Sequence, residues 1–224
     1  MEQLFCKENI SLLKKEPLSP ALRYDLIEAA AFYASARVEH IAAEIVRLAD
    51  EGEKPAAAEM LAGLEKVMRH TDRALTAHPL YNLHVWESKA LAAAGNDADR
   101  QKQYVRDARS IVSTWHSNHG SEPTANEPVN DYSCRLWAGL IRGYYLPRLK
   151  AQLSDIINGT ETNLRTIENR FVSTQHGTAL PPVLELNAAG AWVEADAFSA
   201  DTPDALLLDY LQQLVVETKE LIKR

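Results

Sequence analysis

The sequence predicts an all-α domain, and three observations carry that prediction. Apolar residues recur at spacings of three, four and seven along most of the chain. Proline and glycine fall at the edges of those periodic stretches. Hydrophobic residues make up 46% and charged residues 25% of the 224 positions, an ordinary balance for a chain with a packed core.

Taken in order, Ser19-Pro20 opens a long helix in which Ile27, Ala31, Val38, Ile41, Ile45 and Leu48 form one stripe, until Glu51-Gly52 breaks it. A second helix starts near Pro55, with Leu61, Leu64, Met68, Thr71 and Leu75 inward, and ends at His78-Pro79, where the residue before proline is pushed out of helical geometry. A third runs from about Tyr81 to Ala94 and stops at Gly95. Asp97 caps a fourth, which carries Tyr104, Val105, Ala108, Ile111, Val112 and Trp115. The period then stops from His116 to Asn130, a long polar connection containing Gly120, Pro123 and Pro128; connections of that length in compact domains are usually functional or disordered. Asp131 is expected to cap a fifth helix running to Gly159, kinked at Pro147. Thr160 starts a sixth, with Leu164, Ile167, Phe171 and Val172. Residues 183–194 read as a short hairpin around Asn187 to Gly190. Thr202-Pro203-Asp204 opens a last helix through Leu207, Leu211, Leu214 and Leu221. The expectation is a single helical domain over 1–224, a bundle of six to seven helices. A faint tetratricopeptide flavour around Trp86 to Tyr104 has no second copy, so no repeat array is expected.

Composition excludes several classes. The net charge of -7 gives no footprint for nucleic acid. No apolar run approaches the roughly 20 residues of a membrane span. Met1 to Lys15 lacks the layout of a signal peptide. Cys6 and Cys134 read as two buried free thiols.

Chemistry candidates are few. His70, His78 and His84 do not share a helical face, and read as structural histidines. His116 and His119 share the long connection with Glu122 and Glu127, a conceivable metal or acid–base cluster that is more simply a solvated loop. Trp115 and Tyr132 flank that connection, and flat aromatic faces there suit stacking on a sugar ring, although core packing is the commoner role. There is no Ser-His-Asp cue, phosphate loop or P-loop. No catalytic residue, metal or cofactor is expected in this chain.

The stretch from Asn130-Asp131-Tyr132 through Trp137-Ala138-Gly139-Leu140 and Tyr144-Tyr145 to Pro147-Arg148 is distinctive. It resembles the signature in the C-terminal helical domain of alpha-N-acetylglucosaminidases, glycoside hydrolase family 89. Arg23-Tyr24-Asp25-Leu26, Trp86 to Ala90, Tyr104 to Arg109 followed by Trp115, and Ile167 to Val172 resemble further family segments in the same order. The similarity covers about 23–175, with a divergent tail over 176–224 that includes Trp192. The resemblance implies removal of terminal alpha-linked N-acetylglucosamine with retention, by two glutamates on a (β/α)8 barrel that this chain does not contain. It implies a pocket between barrel and helical domain, with Trp115, Val129 and Tyr132 as the helical side's substrate-binding residues. The implied partners are an N-acetylglucosamine-terminated glycan and the barrel; the implied location is secreted, periplasmic or lysosomal. Alone, the chain is expected to be inactive. A free-standing helical interaction or sugar-binding module without catalysis is the alternative. A helical domain parted from its barrel should also expose apolar residues such as Leu136 or Leu140.

Overall fold

A computed structural model describes residues 2–115, 131, 133–173 and 180–223. The elements are α1 (Lys7–Leu13), α2 (Pro20–Asp50), α3 (Lys54–Leu75), α4 (Leu83–Ala94), α5 (Ala98–Val112), one wide π-helical turn (Ile141–Tyr145), α6 (Leu146–Asn158), α7 (Leu164–Val172), β1 (Leu184–Leu186), β2 (Trp192–Glu194) and α8 (Asp204–Ile222). The architecture is all-α. Among the described residues there are eight α-helices rather than six or seven. The addition is α1, too short for a clear period and fixed by burying Ile10 beside Phe5 against the main core.

Two layers hold the fold. In the larger, α2 and α3 pair as a long hairpin, α8 packs against both, and α6 lies on α3. Leu26, Ile27, Ile41, Ile45, Leu64, Leu75, Leu207, Leu208, Leu211 and Leu214 are buried there. At about 1.5–3 kcal/mol for each large apolar side chain removed from water, this cluster dominates the stability. The tail is therefore part of the core through α8. In the smaller layer, Leu83, Val112, Leu140, Tyr144, Phe171 and Val172 join α4, α5, the wide turn and α7.

Local chemistry explains the well-read boundaries. Ser19 Oγ accepts from Leu22 N–H at 3.3 Å, with Pro20 opening α2. Asp97 accepts from the N–H groups of Asp99 and Arg100. The hairpin is antiparallel, with Leu184 opposite Glu194 and Leu186 opposite Trp192; Gly190 takes a positive φ of 75° in its turn.

Other expectations need correction. α3 stops at Leu75, and α5 at Val112, before Trp115. Asp131 caps no helix: its φ is 61°, whereas a capping residue is extended, and helical structure resumes only at Leu140. In between, Ala138 forms an isolated parallel bridge to Asn82, with Ala138 N–H donating to Tyr81 O and Leu83 N–H to Ala138 O, both at 2.9 Å. Pro147 does lie inside a continuous helical run, 140–158, where it opens α6, and the turn before it widens so that Leu146 N–H donates to Ile141 O, five residues back. Thr160 starts no helix. Its hydroxyl and that of Thr162 donate to Asp155, and Asn163 caps α7. Cys134 is exposed and Cys6 half-buried, so neither is a buried thiol. Leu140 is fully buried and so lies on no open patch, whereas Leu136 is half-buried. No helix of the described residues is long and apolar enough to cross a membrane.

Candidate functional site

The smaller layer closes the base of the connection that follows α5. Asp131 N–H donates to Ser113 O at 2.7 Å, and Ser133 Oγ donates to Val112 O at 3.1 Å. Ser113 and Thr114 are buried, but Trp115, one residue on, is 48% exposed. Its N–H reaches back to Ser110 O at 2.6 Å, a closure that turns the backbone out of α5 into a φ of 53°.

Trp115, Asp131 and Cys134 are the non-glycine residues with positive φ among the described residues, and all three lie at this base. Each such conformation costs on the order of 1–3 kcal/mol and persists only where the surroundings impose it. Here the surroundings are a charged anchor. Arg148, in the first turn of α6, places Nη1 2.7 Å from Asp131 Oδ2 and Nε 3.1 Å from Glu168 Oε1 on α7. Its guanidinium also lies 4.8 Å from the centre of the Tyr144 ring. Burial works against the Arg148 charge, but Asp131, Tyr144 and Glu168 together outweigh it and raise its pKa. Burial pushes the Tyr144 hydroxyl up, so it stays a neutral phenol. Cys134 Sγ donates to Asp131 O at 3.1 Å.

Beside the base opens a groove of about 910 Å³. Val38, Met68, Leu136, Tyr145 and Leu149 line it, and Asp131, Cys134 and Arg148 reach it from the base.

Two further buried ion pairs brace this layer. Asp72 of α3 accepts from Gly139 N–H at 2.7 Å and meets Arg142 at 2.7 Å; Glu87 of α4 meets Arg109 of α5. Trp86 Nε1 donates to Ala108 O at 2.8 Å, tying α4 to α5 beside Trp137.

Of the residues expected to contact substrate, Trp115 stands exposed at the base; Val129 and Tyr132 lie outside the described residues. So do His116, His119, Glu122 and Glu127. The other histidines are scattered: His70 contacts Glu217, His78 contacts Glu28, and His84 is exposed on α4. Among the described residues no group of three or more His, Cys, Asp or Glu is placed to hold a metal ion. Arg148 and Glu168 carry no signal in composition, spacing or periodicity; both lie in segments that resemble the family.

These features define an all-α domain that presents a strained, aromatic-edged loop base on a buried ionic anchor. Residues 5–177 match the family described as Alpha-N-acetylglucosaminidase (NAGLU) C-terminal domain. The chain belongs to that family, the C-terminal domain of the glycoside hydrolase family 89 enzymes. Human alpha-N-acetylglucosaminidase is 26% identical over 162 residues, covering 68% of this chain and 20% of that protein. The family 89 glycoside hydrolase of Clostridium perfringens in complex with 2-acetamido-1,2-dideoxynojirmycin superposes with a TM-score of 0.72 at 16% identity, covering 97% of this chain and 23% of the other. The structure of that bacterial enzyme in complex with its substrate GlcNAc-alpha-1,4-galactose gives a TM-score of 0.72 over 96% of this chain and 23% of the other. The chain thus spans about a fifth of the length of these relatives. The fold match takes in nearly all of the chain, although the family match ends at residue 177.

Proposed function

We propose that this chain is the helical part of an alpha-N-acetylglucosaminidase-like glycoside hydrolase, and that the Trp115 edge forms one wall of the pocket for a terminal alpha-linked N-acetylglucosamine. The observation that carries this reading is Trp115 itself. It stands 48% exposed where the chain leaves α5, on backbone held in a left-handed conformation, and a flat aromatic face at that edge suits stacking on a sugar ring. The substrate named for the bacterial relative ends in a sugar of this kind. Val129 and Tyr132 complete the wall in this reading.

In this reading the acid and base of the reaction lie on the barrel, and the described residues bear on that only at the loop base. Retaining hydrolysis needs two free carboxyl groups about 5–5.5 Å apart across the scissile bond. The carboxylates that meet at the loop base, Asp131 and Glu168, are both engaged by Arg148. Catalysis in this reading belongs to a barrel domain, and the isolated chain has no turnover.

The test is an aryl alpha-N-acetylglucosaminide. The chain alone should release no phenol above background. In the glycosidase that carries this domain, Trp115→Ala should raise KM about tenfold, the loss of one stacking contact near 1.4 kcal/mol, while Trp192→Ala on the hairpin leaves it unchanged. Turnover by the chain alone, or an unchanged KM in Trp115→Ala, would overturn the reading.

A further inference from the structure

We infer that Arg148 and Glu168 are positioning residues for the sugar wall: they fix Asp131, and through it the direction in which Trp115 leaves the scaffold. The inference rests on the pocket reading above, but its first link is a matter of geometry alone.

The path runs through five residues. Glu168 on α7 is 5% exposed and orients Arg148 from behind, Nε to Oε1 at 3.1 Å. Arg148 holds Asp131 at 2.7 Å. Asp131 donates its N–H to Ser113 O at 2.7 Å, and Ser113 lies two residues before Trp115. Each link joins a different element, so a change at α7 reaches the exposed ring without touching it.

The local sequence is built to aim Arg148. The wide turn Ile141–Tyr145 holds one more residue than an α-turn, which rotates the side chains after it away from their ordinary α-helical register. Pro147 then fixes the backbone one residue before Arg148. Gly143 leaves room for the neighbouring helix: a Cβ there would stand 3.1 Å from the Phe171 ring on α7, the helix that also carries Glu168. Tyr144 completes the seat by presenting its ring face to the guanidinium. A plain ion pair on the surface needs none of this apparatus.

Cys134 provides a readout. Its thiol is exposed and bonded to the Asp131 carbonyl, so its rate of alkylation by iodoacetamide reports the conformation of the base. In a Cys6→Ser background, Arg148→Lys and Glu168→Gln should each raise that rate about tenfold, the change expected when a charge-assisted contact is lost. Glu217→Gln, which removes a buried contact on distant α8, should leave it unchanged and so separates loss of the anchor from general destabilisation. In the glycosidase carrying the domain, Arg148→Lys and Glu168→Gln should raise KM with kcat held. Unchanged alkylation rates would overturn the anchor. Faster alkylation with an unchanged KM, where Trp115→Ala does raise KM, would overturn its role in positioning alone. If Trp115→Ala also leaves KM unchanged, the pocket reading fails with it.

Discussion

Glu87 on α4 and Arg109 on α5 meet at 2.5 Å, with both side chains less than a tenth exposed. The same guanidinium donates to the Phe171 carbonyl at 2.9 Å and lies 5.4 Å from the Phe171 ring centre, so one cation ties α4, α5 and α7 together. Breaking a buried pair from one side strands the other charge, which costs about 3–5 kcal/mol. Arg109→Met should show a loss of that size in urea unfolding. The double variant Glu87→Met/Arg109→Met, with no charge stranded, should recover a large part of it.

His78 has both ring nitrogens in use. Nδ1 accepts from Leu80 and Tyr81 N–H at 3.1 and 3.2 Å, which makes Nε2 the protonated nitrogen, donating to Glu28 at 2.9 Å. This turn leads directly into the Tyr81–Ala138 contact. Asn places its side-chain oxygen where Nδ1 stands, and Gln does not. His78→Asn should therefore lose about 1 kcal/mol, and His78→Gln about 2 kcal/mol, because the latter also gives up the two N–H bonds from Leu80 and Tyr81. Thermal or urea unfolding of the pair checks the order.

The α3–α8 seam should weaken in acid. Burial pushes the Glu217 carboxyl up, but contacts from His70, Lys66 and Gln213 outweigh it and hold the pKa at about 2. A carboxyl depressed in the folded state contributes stability that is complete above its unfolded pKa of about 4.5 and lost as pH falls toward 2. The stability difference between the parent and Glu217→Gln should be constant from pH 7 to 5, then shrink steadily down to pH 2.5. A difference independent of pH would refute this.

Two glycines with nearly equal φ should respond differently. Gly52, at φ 83°, has open space where a Cβ would stand, so Gly52→Ala should cost about 1 kcal/mol from backbone strain alone. Gly139, at φ 85°, would place a Cβ 2.8 Å from Leu180 and 3.2 Å from the Leu83 Cβ. Gly139→Ala adds overpacking, about 1–3 kcal/mol, to the same strain.

Much of the fold was legible because the signals were local. Ser19-Pro20 and Asp97 are capping chemistry confined to one turn, and the hairpin at 183–194 announced itself by Gly190 between two short apolar runs. The failures share a cause. Asp131 carries the right side chain for a helix cap, but Arg148, distant in sequence, claims that carboxylate and imposes a left-handed backbone instead. The widened turn before Pro147 has no periodic signal of its own. α1 depends on Phe5 and Ile10 finding the main core. At the candidate site, Trp115 was legible as an aromatic at the edge of an aperiodic stretch. Its support was not, because Arg148 and Glu168 are an ordinary cation and an ordinary acid until the fold brings them together.

The hydrogen bond from Asp131 to Ser113 has a consequence for how such domains diverge. It joins residue 131 to Ser113 just after α5, so the two ends of the 116–130 stretch are held close together on the scaffold. Doubling the length of such a stretch costs only about 0.6 kcal/mol of closure entropy. Mutation can lengthen, shorten or rewrite it while the scaffold keeps its stability, provided that contact survives. Under the proposed pocket reading, sequence changes within 116–130 can alter selectivity without altering the Asp131–Ser113 contact that joins its two ends.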